Sequence, residues 1–124
     1  MIKGVGTDIV EIERIRGMLD RHGDSFRERC FTSAEIAFAS RYRDPATRYA
    51  GRWAAKEAVA KVLGTGFVKG ITFHDIEVLP LHTGQPQVHL HGGAAECAAK
   101  QAIESVLVSI SHADLYATAT AIGT

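Results

Sequence analysis

The sequence predicts a single compact α+β domain, residues 1–124, in which antiparallel strands pack around one long buried helix. Three observations point there. Residues 45–64 carry apolar side chains around nearly the whole helical circumference, the mark of a helix covered on all sides. Short β-branched runs at the start of the chain and through its second half fall outside a βαβ rhythm. The length of 124 residues fits one domain that can bury about two-thirds of its unfolded surface.

The elements follow in order. Residues 2–10 mix β-branched residues with glycine and predict a strand, whose alternation puts Gly4, Gly6 and Asp8 on one face. Two missing side chains beside a carboxylate either leave room for close approach to the backbone or mark a weak edge strand. Residues 11–21 predict a short helix stopped by His22-Gly23, and residues 25–30 a further turn or short helix. Thr32 and Glu35 have capping-box spacing and start a helix running to about Arg41. Asp44 and Pro45 supply a cap and a first-turn proline for the central helix, which stops at Gly64. Residues 71–73, 75–79 and 87–90 predict short strands, with Gly84-Gln85-Pro86 as a turn. Residues 93–104 predict an alanine-rich helix, and residues 106–111 with 115–122 a hairpin across His112-Ala113-Asp114. The hairpin face of Val106, Val108 and Ile110 is expected to be a surface buried between copies of the chain.

Fourteen basic and fourteen acidic residues leave no net charge. No global field therefore draws the chain to nucleic acid or to a membrane, and a charged partner must be read by a local patch. No apolar run approaches the ~20 residues of a membrane span. The opening residues lack a signal-peptide core. Cys30 and Cys97 lack metal-site or disulfide spacing, as a reduced compartment allows. The expected compartment is the cytoplasm.

Several residues could carry chemistry. Glu57 falls between Ala50, Trp53 and Ala60, inside the apolar stripe of the central helix, where a lone carboxylate is costly. It must be protonated, paired or bound to a cation. Lys61, one turn on, offers a simple ion pair. Asp8 offers the alternative, because two carboxylates on rigid elements are the usual minimum for Mg²⁺. Gly64-Thr65-Gly66 follows the lysine and could bring backbone amides to a phosphate, with Lys61 and Lys69 offsetting the unfavourable helix C-terminus. His112 ends a strand and suits a hydrogen-bonding or a catalytic role. Arg14, Met18 and Arg21 share one face of the first helix while Arg16 points away, and a basic face with an apolar centre could grip an acidic helix.

These features together resemble the holo-acyl-carrier-protein synthase family of phosphopantetheinyl transferases. The likeness rests on residues 4–12, Gly-Val-Gly-Thr-Asp-Ile-Val-Glu-Ile, and residues 52–61, Arg-Trp-Ala-Ala-Lys-Glu-Ala-Val-Ala-Lys. Phe31-Thr32 with Glu35, Leu63-Gly64-Thr65-Gly66, Asp75-Ile76-Glu77-Val78, Ser109-Ile110-Ser111-His112 and Tyr116-Ala117 support it. Gln85 stands where relatives often carry a basic residue, and Cys30 where an aliphatic one is usual. The resemblance implies a homotrimer with active sites between subunits. It implies Mg²⁺, or Mn²⁺, held by Asp8 and Glu57 against the pyrophosphate of coenzyme A, with Lys61 neutralising phosphate charge. Arg52, Gly64, Thr65, Gly66 and His112 would line the nucleotide and pantetheine site. Arg14, Met18 and Arg21 would dock an apo acyl carrier protein, whose serine attacks the β-phosphorus and releases 3′,5′-ADP. One of the carboxylates, or a water at the metal, would take the serine proton. Two other readings compete. A hot-dog coenzyme A thioesterase would need its long helix early and leaves the carboxylates unexplained. A non-catalytic carrier-binding module gives no reason for Glu57.

Overall fold

The structure is a computed structural model that describes residues 1–68 and 70–124. Strand β1 (Gly4–Glu11) leads into helices α1 (Ile12–His22), α2 (Asp24–Cys30), α3 (Ser33–Ala39) and α4 (Ala46–Leu63). A 3₁₀ turn, Phe73–Asp75, precedes the hairpin β2 (Ile76–Pro80) and β3 (Pro86–Leu90). Helix α5 (Gly92–Lys100) and the hairpin β4 (Val106–His112) and β5 (Tyr116–Gly123) complete the chain. All pairing is antiparallel, in a three-stranded sheet of order β1-β5-β4 and a separate β2-β3 ribbon.

Helix α4 is the hub. Ala50, Ala54, Ala55, Ala58, Val59 and Ala60 are wholly buried on it, and small side chains let neighbouring elements come close. The glycines of β1 belong to this contact. A Cβ on Gly6 would stand 2.1 Å from the Ala58 carbonyl oxygen, and one on Gly4 would stand 2.9 Å from that of Val62. The space left by the two glycines is therefore filled by α4. The Thr32–Glu35 capping box forms as its spacing predicts. Gly64 caps α4 in the left-handed region, φ 79°, which glycine adopts without strain.

Three expectations change. Residues 71–73 form no strand, because the carbonyls of Phe73 and Ile76 bind the Lys56 ammonium and Thr72 and Asp75 close a capped turn. Helix α5 stops at Lys100, where Ala102 turns to φ 55° and the Ile103 amide reaches back to the Ala98 carbonyl. Val106, Val108 and Ile110 are not a free surface: they pack inward on the core, and Ile110 meets Gly51 of α4. The exposed sheet face is the opposite one, with Val5, Ile9 and Leu107 each at least 60% exposed.

Candidate active site

Strand β1 and helix α4 place the central residues. Asp8 shares the α4-facing side of β1 with Gly4 and Gly6, and the absence of side chains there lets Asp8 reach the flank of α4. One helical turn separates Glu57 from Lys61 on that flank. The Lys61 ammonium donates to the Thr7 carbonyl at 2.6 Å and lies 3.4 Å from Asp8 Oδ1. Lys61 thus ties α4 to β1 rather than closing a simple pair with Glu57.

The electrostatics bind the group together. Burial pushes the Asp8 carboxyl above its ordinary pKa, while Lys61, the Ile9 amide and Arg14 pull it back. Glu57 is raised by burial and then by the Asp8 charge, against Lys61 and Arg14. The Asp8 charge thus works against ionisation of Glu57, while Lys61 and Arg14 favour the ionised form of both carboxylates. Among the described residues no third His, Cys, Asp or Glu completes a protein-only metal cage. That donor set, two hard oxygen ligands with open positions, fits Mg²⁺, which retains water and accepts phosphate oxygens. Asp8 and Lys61 also line an open hollow of about 330 Å³ with Thr7, Thr118 and Thr120.

The remaining predicted residues lie around this centre at different distances. Gly64, Thr65 and Gly66 come three to five residues after Lys61, Gly66 at φ 61°, with the Thr65 hydroxyl donating to the Gly66 carbonyl at 3.1 Å. Lys69 lies outside the described residues. Arg52 is buried, its guanidinium 4.2 Å above the Phe38 ring and its Nε without an acceptor. It is five residues before Glu57, roughly 140° around the helix, and so faces away from the carboxylates. His112 is exposed at the end of β4. The register runs Asp8–Ala119–Ile110, so His112 lies two strands away and two residues further on. One chain alone does not bring Arg52 or His112 to Asp8.

On α1, Arg14 and Arg21 are exposed and Met18 packs partly into the core, with the Arg21 guanidinium 3.5 Å from its sulfur. Arg16 turns away to Glu13 at 2.9 Å and Asp44 at 2.5 Å. Arg14 is closer to the carboxylates than the sequence suggested, near enough to lower both of their pKa values.

Sequence reasoning missed Lys56 and Glu35. Both are buried, and Lys56 Nζ stands 2.7 Å from Glu35 Oε1. The available signal was Lys56 itself, a second charge in a helix otherwise apolar all round.

An α+β fold that seats two carboxylates and a lysine beside a glycine turn offers the groups that phosphate-transfer chemistry uses. A family profile described as the 4′-phosphopantetheinyl transferase superfamily matches residues 4–121. The holo-[acyl-carrier-protein] synthase of Solibacter usitatus is 44% identical over 112 residues, 90% of each chain. The crystal structure of the Neisseria meningitidis holo-[acyl-carrier-protein] synthase superposes with a TM-score of 0.90 at 32% identity, covering 100% of this chain and 99% of that one. The Helicobacter pylori enzyme in complex with coenzyme A gives 0.86 at 32% identity, covering 97% and 99%. The chain belongs to the holo-[acyl-carrier-protein] synthase family of 4′-phosphopantetheinyl transferases. This membership sets aside the hot-dog thioesterase reading.

Proposed function

We propose that this chain transfers the 4′-phosphopantetheine arm of coenzyme A to a serine of apo acyl carrier protein, at Asp8, Glu57 and Lys61. The observation that carries the reading is the mutually repelling carboxylate pair on β1 and α4 with Lys61 beside it. Asp8 and Glu57 would hold Mg²⁺, with Mn²⁺ acceptable to the same oxygen donors. The bound ion supplies neutralisation of the pyrophosphate charge.

The chain's own groups do the rest. Lys61, held by the Thr7 carbonyl and by Asp8 Oδ1, has one N–H left for the reacting phosphates. The serine oxygen bonds to the β-phosphorus as the bond to the bridging oxygen breaks. The serine proton leaves to a base at the carboxylate pair, and 3′,5′-ADP departs carrying the former bridging oxygen. Gly64, Thr65 and Gly66 line the nucleotide beside Lys61. The Arg52 guanidinium, buried over the Phe38 ring with its Nε unpaired, carries the fixed charge and fork geometry that suit an anion. Arg52 and His112 join the carboxylates across an interface in a homotrimer. Arg14, Met18 and Arg21 dock the acidic carrier, in the cytoplasm, for fatty-acid synthesis.

Apo carrier protein incubated with the chain, coenzyme A and Mg²⁺ should gain the mass of one phosphopantetheinyl group on its serine. No gain across several bacterial carriers would remove the proposed activity.

A further inference from the structure

The buried ion pair between Lys56 and Glu35 lies outside the reaction just described, yet every polar atom in it is used. Lys56 Nζ is fully buried and donates to Glu35 Oε1, to the Phe73 carbonyl and to the Ile76 carbonyl, each at 2.7 Å. An ammonium has three protons, so it is saturated. Glu35 Oε1 also accepts from the Thr32 amide at 2.9 Å, and Oε2 from the Val78 amide at 2.9 Å. Every proton of the ammonium and both carboxylate oxygens are thus engaged within the fold, away from solvent.

The two carbonyls flank the 3₁₀ turn at Phe73–Asp75. Phe73 in turn stacks on Trp53 of α4, centroids 4.8 Å apart, and on Phe67, centroids 4.0 Å apart and nearly parallel. Phe67 directly follows Thr65 and Gly66. One end of this segment is therefore the end of α4, which carries Lys61. Its other end is held through Phe67 and Phe73 to a side chain buried in the middle of α4.

We propose that Lys56 is a positioning residue for nucleotide binding: it fixes the Phe73 turn, and the Phe73–Phe67 stack then fixes Thr65 and Gly66 against the end of α4. This rests on the assignment of that glycine turn to the coenzyme A nucleotide. It also separates Lys56 from its neighbour Glu57, since Lys56 touches neither substrate nor metal.

Lys56→Met alone strands a buried carboxylate and can fail to fold, so the test pairs it with Glu35→Gln. Phe67→Ala, which leaves the ion pair intact, is the second variant. In each folded variant the KM for coenzyme A should rise about tenfold or more, because misplaced binding groups cost affinity steeply. The carrier KM and the Mg²⁺ titration should stay near those of the parent. Hydrogen exchange at the Thr65 and Gly66 amides should quicken. A merely structural role would lower the unfolding midpoint and leave these ratios alone. Unchanged coenzyme A KM in Phe67→Ala, equal rises in both KM values, or unchanged exchange would overturn the proposal. If the parent chain transfers nothing, the functional assignment fails, and the exchange measurement alone judges the pinning of the turn.

Discussion

Burial and the Asp8 charge both raise the cost of ionising Glu57, and that conflict makes opposite predictions for catalysis and for stability. Asp8→Asn and Glu57→Gln keep the side-chain shape but remove a charge from the cation's ligands. Charge stabilisation by a metal is worth several kcal/mol, so each should lower kcat by more than about 100-fold in a steady-state assay. Stability moves the other way for Glu57→Gln. The folded-state pKa of Glu57 lies above its ordinary value, so ionisation weighs against the folded state. That cost is present at pH above the raised pKa and fades as pH falls into the ordinary carboxylate range near ~4. Thermal unfolding in chelator should therefore give a higher Tm for Glu57→Gln than for the parent at pH 7–8, with the gap closing towards acid. Added Mg²⁺ should raise the parent's Tm and leave the variant's unmoved; an equal Mg²⁺ shift in both would refute the ligand assignment. Glu57 stood out in the sequence because a carboxylate in an apolar stripe demands a partner, and Asp8 entered as one candidate for it. Lys56 was not, because its partner Glu35 lies 21 positions back and already had an evident local task in the Thr32 capping box. A side chain doing two things shows only the nearer one in a sequence.

Elements whose ends carry their own chemistry were the ones the sequence specified well: the Thr32–Glu35 box opens α3, and Gly64 closes α4. Residues 71–73 misled because β-branched residues signal an extended chain, while the deciding contact came from Lys56, 17 positions away from Phe73. Helix α1 carries a prediction of the same mixed kind. Of its basic face, Arg14 lowers the pKa of Asp8 and Glu57, whereas Arg21 is not among the groups that shift them. The two arginines should therefore separate. Arg21→Glu should raise the carrier KM, by up to about fivefold per exposed pair lost, and the effect should shrink at high salt. Its coenzyme A KM should not move. Arg14→Glu should do the same to the carrier and also push both carboxylate pKa values up, shifting the acidic limb of the Mg²⁺-dependent rate to higher pH. Met18→Ala should weaken the carrier without altering salt dependence. Kinetics with each substrate varied in turn, at two salt concentrations and across pH, check this. An Arg21→Glu enzyme with an unchanged carrier KM would misplace the docking face.

For the whole molecule, the question is what covers the outer side of the three-stranded sheet. One side of β1, β5 and β4 is closed by α4. The other presents Val5, Ile9 and Leu107 to solvent, with Leu115 and Tyr116 at the hairpin end. Thr7, Ser109 and Thr120 lie among them on the same outward side. Val5, Ile122 and Leu107 stand in one register row and Thr7, Thr120 and Ser109 cross the face two residues on, and this uncharged face suits a second copy of the chain better than a charged carrier. The same sheet ends at His112, which a single chain keeps two strands away from Asp8. Assembly through this face would account for both facts at once, by covering the patch and by carrying distant site residues to a neighbouring copy's carboxylates. The expected outcome is a species of about three chains' mass in sedimentation at micromolar concentration. Leu107→Asp places a charge on the exposed face, on the edge strand β4, without touching the core, so it should dissociate the assembly while the chain stays folded. Transfer activity should fall with the trimer. Mixing it with Asp8→Asn chains, whose interface is intact, should not restore full activity, because Leu107→Asp cannot complete the shared surface. A folded monomer of Leu107→Asp with parental kcat would show that each chain holds a whole site, and His112 would then have no part in it.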